Sequence, residues 1–142
     1  MIEAVSYRPE HLLVLALQPA QQWMASSVTR TEAEALAQCP RAIAVVDGDR
    51  VLGVAGVQEY WQGRGMVWAF LAGCLKKEFA AGHRIAKRFL AETKVQRLEA
   101  HVEIGFEAGH RWLWALGFEL ETPVAEKYQN GRDCSIYVRI NE

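Results

Sequence analysis

Hydrophobic and polar residues alternate most clearly in the segment from Arg97 to Glu103. A two-residue period of this kind predicts a strand with one apolar face. After Gly105 the apolar spacing lengthens to that of a helix, and Gly117 is placed to end this helix in a left-handed conformation. The buried face of the helix is predicted at Ala108, Trp112, Ala115 and Leu116. The alternation resumes at Phe118, so this part of the chain predicts a strand–helix–strand unit.

The same two periodicities recur along the rest of the chain. Further strands are predicted over residues 2–7, 42–46, 51–60 and 66–71, and in a C-terminal hairpin that turns at Asn130 and Gly131. Helices are predicted from Pro9 to Pro19, from the capping box at Thr29 to Pro40, and over residues 79–93, after a loop at residues 72–78. Residues 66–71 are apolar throughout, which is typical of a central strand covered on both faces. Residues 21–28 have no clear pattern.

Size and composition indicate one globular domain over residues 1–142. Apolar residues make up 51% of the chain and charged residues 23%, with a net charge of -1. This balance gives no indication of a nucleic-acid partner, and no apolar run is long enough to span a membrane. The three cysteines are widely spaced and the four histidines are scattered, so we expect packed, reduced thiols in a cytoplasmic protein and no metal site.

The order of elements resembles that of one family, the GNAT superfamily of N-acetyltransferases. Trp114-Ala-Leu-Gly-Phe118 is similar to the Leu-Tyr-x-x-x-Gly-Phe segment on the family's fourth helix. The resemblance covers essentially the whole chain. It implies an α/β fold with a mixed, mostly antiparallel sheet and helices on both faces, which also follows from the element order.

A narrower set of segments is similar to small GNAT-like proteins of phages and prophages, some of which are internal virion proteins. These segments are Gly53-Val-Ala-Gly56, Trp68, Gly109-His-Arg-Trp112, Leu116-Gly-Phe118, Tyr128 with Gly131-Arg-Asp133, and Ile136-Tyr-Val-Arg139. This resemblance implies virion or tail proteins as partners, and a location in the host cytoplasm or in a virion. A homo-oligomer is a further expectation.

The family resemblance also implies an acetyl-CoA site. In the family, the pantetheine arm lies between the strand at residues 66–71 and the strand at residues 97–102, and its amides pair with free backbone groups. The pyrophosphate lies at the N-terminus of the following helix. Cofactor binding is therefore assigned to two groups of residues: Trp68, Ala69, Phe70 and Leu71 for the arm, and Gly73, Lys76 and Lys77 for the phosphates. The family's glycine-containing phosphate pattern is absent, so a surface loop with two solvated lysines is an equal alternative.

Two positions of the family's catalytic helix differ in this chain. The tyrosine that often protonates the leaving thiolate corresponds to Leu113, and the asparagine at the helix start corresponds to Phe106. Because leucine has no proton to donate, any general acid must lie elsewhere. Tyr128 is one candidate, and packing on the sheet is the alternative role for its ring.

Candidate general bases lie on the polar side of the central strand. Glu99, His101 and Glu103 share this side, and Glu59 lies near the end of another strand. Interior strands are normally apolar on both faces, so a polar side predicts either a cleft or a poorly covered face, and we favour the cleft.

Together these features predict a GNAT-like domain whose acetyl transfer is weak or lost and whose fold serves a protein partner, with Trp112 or Trp114 in the contact. An active acetyl-CoA-dependent N-acyltransferase acting on a small amine or a protein amine is the alternative.

Overall fold

The computed structural model describes residues 1–141, which form seven strands, four α-helices and one 3₁₀ helix. The strands are β1 Ile2–Ser6, β2 Arg41–Asp47, β3 Arg50–Trp61, β4 Arg64–Leu71, β5 Arg97–Glu103, β6 Glu119–Gln129 and β7 Arg132–Ile140. The helices are α1 Pro9–Leu13, the 3₁₀ helix Pro19–Ser27, α2 Arg30–Leu36, α3 Lys76–Glu92 and α4 Glu107–Ala115.

The strands form one sheet in the order β1-β2-β3-β4-β5-β7-β6. β1–β2, β2–β3, β5–β7 and β6–β7 pair antiparallel, whereas β4 and β5 pair in parallel. The predicted mixed, mostly antiparallel sheet is therefore confirmed. The chain divides into two compact units, and the single domain expected from its length stays a prediction.

The first unit comprises residues 1–58 and 68–93. Its core packs α1 and α2 on one face of the strands through Tyr7, Leu12, Ala33, Leu36, Ala44, Val51 and Val54. On β2, Arg41 points to the face opposite Ala44, because successive side chains alternate. The Arg41 guanidinium lies over the Phe89 ring of α3, 4.6 Å from its centroid. Helices thus cover both faces of the sheet in this unit, as predicted.

Two helix predictions in the first unit were wrong at their ends. The first helix stops at Leu13, because Gln18 N–H bonds Leu71 O at 2.8 Å and draws the following segment onto β4. α3 begins at Lys76, three residues before the predicted start, so both lysines belong to the helix. Residues 21–28, which had no pattern, lie mostly in the 3₁₀ helix.

Burial of the central strand and of the thiols also differs from expectation. β4 is the middle strand, but its residues from Val67 to Leu71 are half-buried, so the predicted full covering of both faces is wrong. Among the cysteines, Cys134 is buried, Cys39 is half-buried and Cys74 is exposed, which contradicts the expectation of packing for Cys74.

The second unit comprises residues 59–67 and the chain from Lys94 onward. Leu98, Ala100 and Val102 of β5 are buried, which confirms the predicted apolar face. The hairpin between β6 and β7 is also confirmed. Asn130 and Gly131 both have positive φ, at 50° and 76°, the conformation that a two-residue hairpin turn requires.

The end of α4 is confirmed in detail. Gly117 has a φ of 90°, Phe118 N–H bonds Leu113 O at 3.0 Å, and Gly117 N–H bonds Trp114 O at 3.0 Å. These two hydrogen bonds together form a Schellman cap. The predicted buried face of α4 was partly wrong, because Gly109, Leu113 and Leu116 are the buried residues. Ala108 and Ala115 are exposed, and Trp112 is half-buried.

Candidate functional site

β5 presents three ionisable side chains on one side, Glu99, His101 and Glu103, called here the β5 face. Glu99 is the most enclosed of them, with 5% of its surface exposed. Its carboxylate accepts hydrogen bonds from Arg64 Nε at 2.6 Å and from Arg97 Nε at 2.9 Å. The hydrogen bond from Arg64, followed by that from Arg97, holds the pKa of Glu99 below its usual range despite burial. Glu99 is therefore a weak base.

Arg97 connects Glu99 of β5 to β6, the strand on the far side of β7. Its guanidinium also binds the Glu121 carboxylate of β6, with Nη1 at 2.9 Å from Oε2. Two carboxylates and two guanidinium groups thus form one network on three strands. Its formal charges cancel, so the network carries no net charge and both carboxylates are paired.

Glu103 and Glu59 are also engaged by the chain. Glu103 accepts a hydrogen bond from Arg132 Nη1 at 2.6 Å, and its side chain is 29% exposed. Glu59 accepts one from Gly63 N–H at 3.3 Å, across the turn between β3 and β4. Every glutamate named as a candidate base therefore has a partner within residues 1–141.

His101 differs from the carboxylates because one of its nitrogens has no partner. Nε2 lies 2.6 Å from Gln129 Oε1, an acceptor, so Nε2 carries the proton. Nδ1 is buried without a hydrogen-bond partner among residues 1–141. Burial lowers the pKa of His101, which keeps the imidazole neutral with a free lone pair on Nδ1.

Tyr128 covers the imidazole of His101. The two ring centroids are 5.1 Å apart, and burial raises the pKa of the Tyr128 hydroxyl. The residue before it, Lys127, has a φ of 50°, which a non-glycine residue rarely adopts. Asp133 Oδ1 accepts from Lys127 N–H at 2.9 Å and holds this irregular backbone. Both proposed roles of Tyr128, proton donor and packing group, stay predictions.

The residues assigned to the cofactor's arm lie in the first unit, where the side chains of β4 have separate surroundings. Trp68 packs against Tyr7, with ring centroids 5.6 Å apart. A Cβ on Gly56 would lie 2.5 Å from the Trp68 ring, so only glycine allows this approach. Phe70 faces the same aromatic group, 6.2 Å from Trp68. These two half-buried side chains therefore pack against the core of the first unit.

The backbone N–H and C=O groups of Ala69 and Leu71 lie on one edge of β4. We call this set of backbone groups the β4 edge. Ala72 N–H bonds Leu52 O of β3 at 2.9 Å, so the backbone N–H of Ala72 points toward β3. Because backbone groups alternate in direction along a strand, the N–H and C=O groups of Leu71 and Ala69 point away from β3. At the start of β4, the same edge carries Gly63 O, which accepts from Arg97 N–H of β5 at 2.8 Å. Parallel pairing with β5 extends over Arg64–Met66 of β4.

The β4 edge is occupied by two glutamines from the segment before α2. Gln21 Nε2 donates to Ala69 O at 2.9 Å, and Gln21 Oε1 accepts from Leu71 N–H at 2.8 Å. Gln18 N–H donates to Leu71 O at 2.8 Å, and its side-chain amide donates to Gln21 Oε1 at 3.2 Å. The backbone groups assigned by resemblance to a cofactor are thus bonded within the chain. We call Gln18 and Gln21 the glutamine latch.

The start of α3 carries an acid where the resemblance implies phosphates. Lys76 and Lys77 are exposed at the first two helical positions, and Gly73 is exposed before them. Glu78 is only 7% exposed, and its carboxylate accepts from Leu75 N–H at 2.9 Å and from Arg50 Nη1 at 2.6 Å. The helix thus has its own anion at the N-terminus, where negative charge is stabilised.

Leu113 lies where the family resemblance requires a tyrosine. It is 9% exposed on the buried side of α4, and its carbonyl accepts the cap bond from Phe118. Phe106, at the asparagine position, is the residue before the first turn of α4. Neither side chain has a titratable group, so the helix offers no general acid at these positions.

The structure thus collects Glu99, His101, Glu103 and Tyr128 in the second unit and all cofactor candidates in the first. Sequence reasoning missed Gln21, Gln129 and the Arg50–Glu78 pair. Glu78 had a signal, since an acid three residues after Leu75 fits the first turn of a helix. The two glutamines had none, because their partners lie 28 to 50 residues away.

Neither a protein-family model nor a curated protein sequence matches this chain. Solved structures do match it. Ard1 from Thermoplasma volcanium has a TM-score of 0.81 at 14% identity, covering 99% of this chain and 98% of that one. A spermidine N-acetyltransferase SpeG chimera from Vibrio cholerae and hSSAT has a TM-score of 0.73 at 16% identity, covering 98% and 95%. A GNAT-family acetyltransferase from Bacillus cereus has 0.71 at 10% identity, covering 100% and 99%.

These similarities define the class of fold. At such low sequence identity they establish the architecture alone, and the chain has the fold of the GNAT acetyltransferases. Within residues 1–141, no group of three or more His, Cys, Asp or Glu side chains is placed to hold a metal ion. No helix in the described part of the chain is both long and apolar enough to cross a membrane.

Proposed function

We propose that this chain is a GNAT-fold protein with weak or lost acetyl-CoA-dependent N-acetyltransferase activity, and that its fold serves a protein-interaction role. The observation that carries the proposal is the occupied β4 edge. Ala69 O, Leu71 N–H and Leu71 O all bond the glutamine latch at 2.8–2.9 Å. In this conformation the β4 edge does not fit the pantetheine arm of acetyl-CoA, because the arm would need Ala69 O and Leu71 N–H, which Gln21 already bonds.

The start of α3 supports the same proposal. Lys76 and Lys77 provide positive charge, which suits a pyrophosphate. The Leu75 N–H, however, already bonds the Glu78 carboxylate, and Arg50 is engaged with that carboxylate. A bound phosphate would therefore compete with the protein's own anion, which weakens cofactor affinity.

The β5 face and α4 account for weak chemistry. Glu99 is held by two arginines and its pKa is lowered, which makes it a weak base, and Glu103 is engaged by Arg132 through one oxygen. Leu113 removes the proton donor that the family resemblance implies on α4. Loss of one general acid or base typically reduces a rate by about 10²–10⁴-fold.

An exposed tryptophan supports the interaction role. Trp114 is 76% exposed on α4, and large aromatic residues at such exposure are typical of contact sites. The resemblance to phage and prophage proteins favours a virion or tail protein as the partner, either in the host cytoplasm or in the particle. A second copy of the chain is a further candidate for this contact.

An active N-acyltransferase is the second candidate function, and His101 favours it. Its Nδ1 lone pair has no partner among residues 1–141, and Tyr128 packs beside the ring. A neutral imidazole with a free lone pair can take a proton from an amine. The substrate would then be a small amine or a protein amine.

Two measurements on the purified protein separate these functions. The first is thiol release from acetyl-CoA with a panel of amines and peptides. We expect turnover far below ~1 s⁻¹, which is the lower end of the ordinary enzyme range. The second is complex formation with co-expressed virion or tail proteins. We expect Trp114→Ala to weaken the complex, and Arg111→Ala, a change of another exposed residue on α4, to leave it unchanged.

The outcomes exclude one function each. Turnover of ~1 s⁻¹ or faster that Glu99→Gln, His101→Gln or Glu103→Gln abolishes would refute the interaction proposal in favour of the enzyme. A silent assay together with a stable complex that depends on Trp114 would refute the enzyme.

A further inference from the structure

We propose that the glutamine latch is a built-in inhibitory device, and that the chain binds acyl-CoA when Gln21 leaves the β4 edge. This inference rests on the proposed function, since it identifies what weakens cofactor binding. It differs from a loss of the cofactor site, because the backbone groups of the β4 edge are present and become available when Gln21 moves away.

The geometry of Gln21 resembles that of a residue in an added parallel strand. In parallel pairing, one residue donates to a carbonyl and accepts from the N–H two residues further along the partner strand. The Gln21 side-chain amide does both, donating to Ala69 O at 2.9 Å and accepting from Leu71 N–H at 2.8 Å. The one primary amide of Gln21 thus replaces an N–H and a carbonyl that an added strand would supply from two successive peptide groups.

Neighbouring contacts hold the amide in place. Gln18 donates to Gln21 Oε1 at 3.2 Å, and its own N–H donates to Leu71 O at 2.8 Å. Leu17 forms an isolated antiparallel bridge with Ala72. The segment is therefore held on β4 by a short strand-like contact at Leu17, by the backbone of Gln18 and by the side chain of Gln21.

The latch is built to be released at low cost. Its bonds join neutral groups, so opening leaves no buried charge. Gln21 lies in the 3₁₀ helix Pro19–Ser27, in which none of the nine residues is buried. Long 3₁₀ segments have poor hydrogen-bond geometry and are uncommon. Segments with little burial open locally at low free energy.

Calorimetric titration with acetyl-CoA tests the latch. The proteins compared are the wild type, Gln21→Ala and Gln22→Ala. Gln22 is the exposed neighbour in the same 3₁₀ helix and makes no hydrogen bond to the β4 edge in the described chain, so it is a matched control. We expect Gln21→Ala to bind about tenfold more tightly than the wild type, because removing the two bonds frees Ala69 O and Leu71 N–H. Gln22→Ala should bind like the wild type.

A second variant provides the same test in case Gln21→Ala does not fold. Gln21→Met keeps the length of the side chain and removes both hydrogen bonds, so it should also bind about tenfold more tightly. Thermal unfolding of each variant verifies that the protein is folded before titration.

Each outcome supports or overturns the latch. Tighter binding by both Gln21 variants and not by Gln22→Ala supports it. Equal or weaker binding by the Gln21 variants, no binding by any protein, or equal tightening by Gln22→Ala overturns it. The proposed function fails separately, if the wild type itself binds tightly and turns over at ~1 s⁻¹ or faster.

Discussion

The β4 edge and the β5 face are both occupied by the protein's own side chains, but by different chemistry. On the β4 edge, Gln21 forms two bonds between neutral groups, at 2.8 and 2.9 Å. On the β5 face, Glu99 is bound by Arg64 at 2.6 Å and Arg97 at 2.9 Å. A neutral contact can open without stranding a charge, whereas removing an arginine leaves a buried carboxylate with fewer partners.

This difference determines how each region responds to change. The β4 edge should respond to removal of one side chain with little effect on folding and with no dependence on pH. The β5 face should respond with a loss of stability that depends on pH. Measurements on the two regions therefore distinguish a releasable contact from a structural one.

The largest effect is expected for Arg97→Met, which leaves Glu99 bonded only to Arg64. Hydrogen bonds to charged groups contribute more than neutral ones, so we expect the free energy of unfolding to fall by about 2 kcal/mol. Since the pKa of Glu99 is lowered in the folded state, its stabilisation is present above the ordinary carboxyl pKa of about 4.3 and is lost as pH falls. The penalty should therefore shrink under acidic conditions.

Urea unfolding of Arg97→Met measures this effect. It is carried out between about pH 3 and pH 7, because carboxyl groups titrate in this range. Lys94→Met removes a positive charge from an exposed residue of the same unit and is the control. A penalty that is equal for both variants, or that grows toward acid, would contradict the role assigned to Glu99.

A smaller effect is expected for Gly117→Ala, which tests the alignment behind the absent general acid. The φ of 90° is unfavourable for alanine, while the nearest atom to a new Cβ is Arg139 Nε at 3.5 Å. Conformational strain without a steric clash should lower the unfolding free energy by about 1 kcal/mol. An unchanged thermal midpoint would contradict the left-handed cap at Gly117. It would also contradict the alignment that places Leu113 at the tyrosine position.

The smallest effect is expected at His101, the one member of the β5 face without an arginine partner among residues 1–141. Its pKa is lowered by burial, so the unfolded chain binds a proton at a pH where the folded chain does not. Stability should therefore fall as pH drops below about 6.5, the ordinary histidine pKa. His101→Gln should reduce this fall.

Ring ¹⁵N and ¹³C shifts of His101 measure the same property directly. They should report a neutral ring protonated on Nε2 at neutral pH, as the bond to Gln129 Oε1 requires. A titration midpoint at or above the ordinary value would contradict this arrangement.

Local patterns were enough to predict the parts of the fold that local physics controls. The alternation in β5, the left-handed Gly117 and the turn at Asn130 all depend on residues adjacent in sequence. The sequence also identified the polar side of β5. It did not identify its partners, because Arg64 lies 35 residues before Glu99 and several arginines were available.

The contacts of the β4 edge could not be predicted from the sequence either, because the bonded residues are far apart in the chain. Gln21 and Leu71 are 50 residues apart, and a glutamine in a segment without periodicity carries no sign of a distant partner. The same contact shortened the first helix, since Gln18 bonds Leu71 where leucine spacing favoured further helical turns. Tertiary hydrogen bonds overrode propensity in both places.

Amide hydrogen exchange at Leu71 reports directly on the glutamine latch, because Leu71 N–H donates to Gln21 Oε1. We predict slow exchange in the wild type and in Gln22→Ala, and exchange about tenfold faster in Gln21→Ala, with the amide of Ala72, which bonds β3, unchanged. Equal exchange rates at Leu71 in all three proteins would show that Gln21 does not hold the β4 edge.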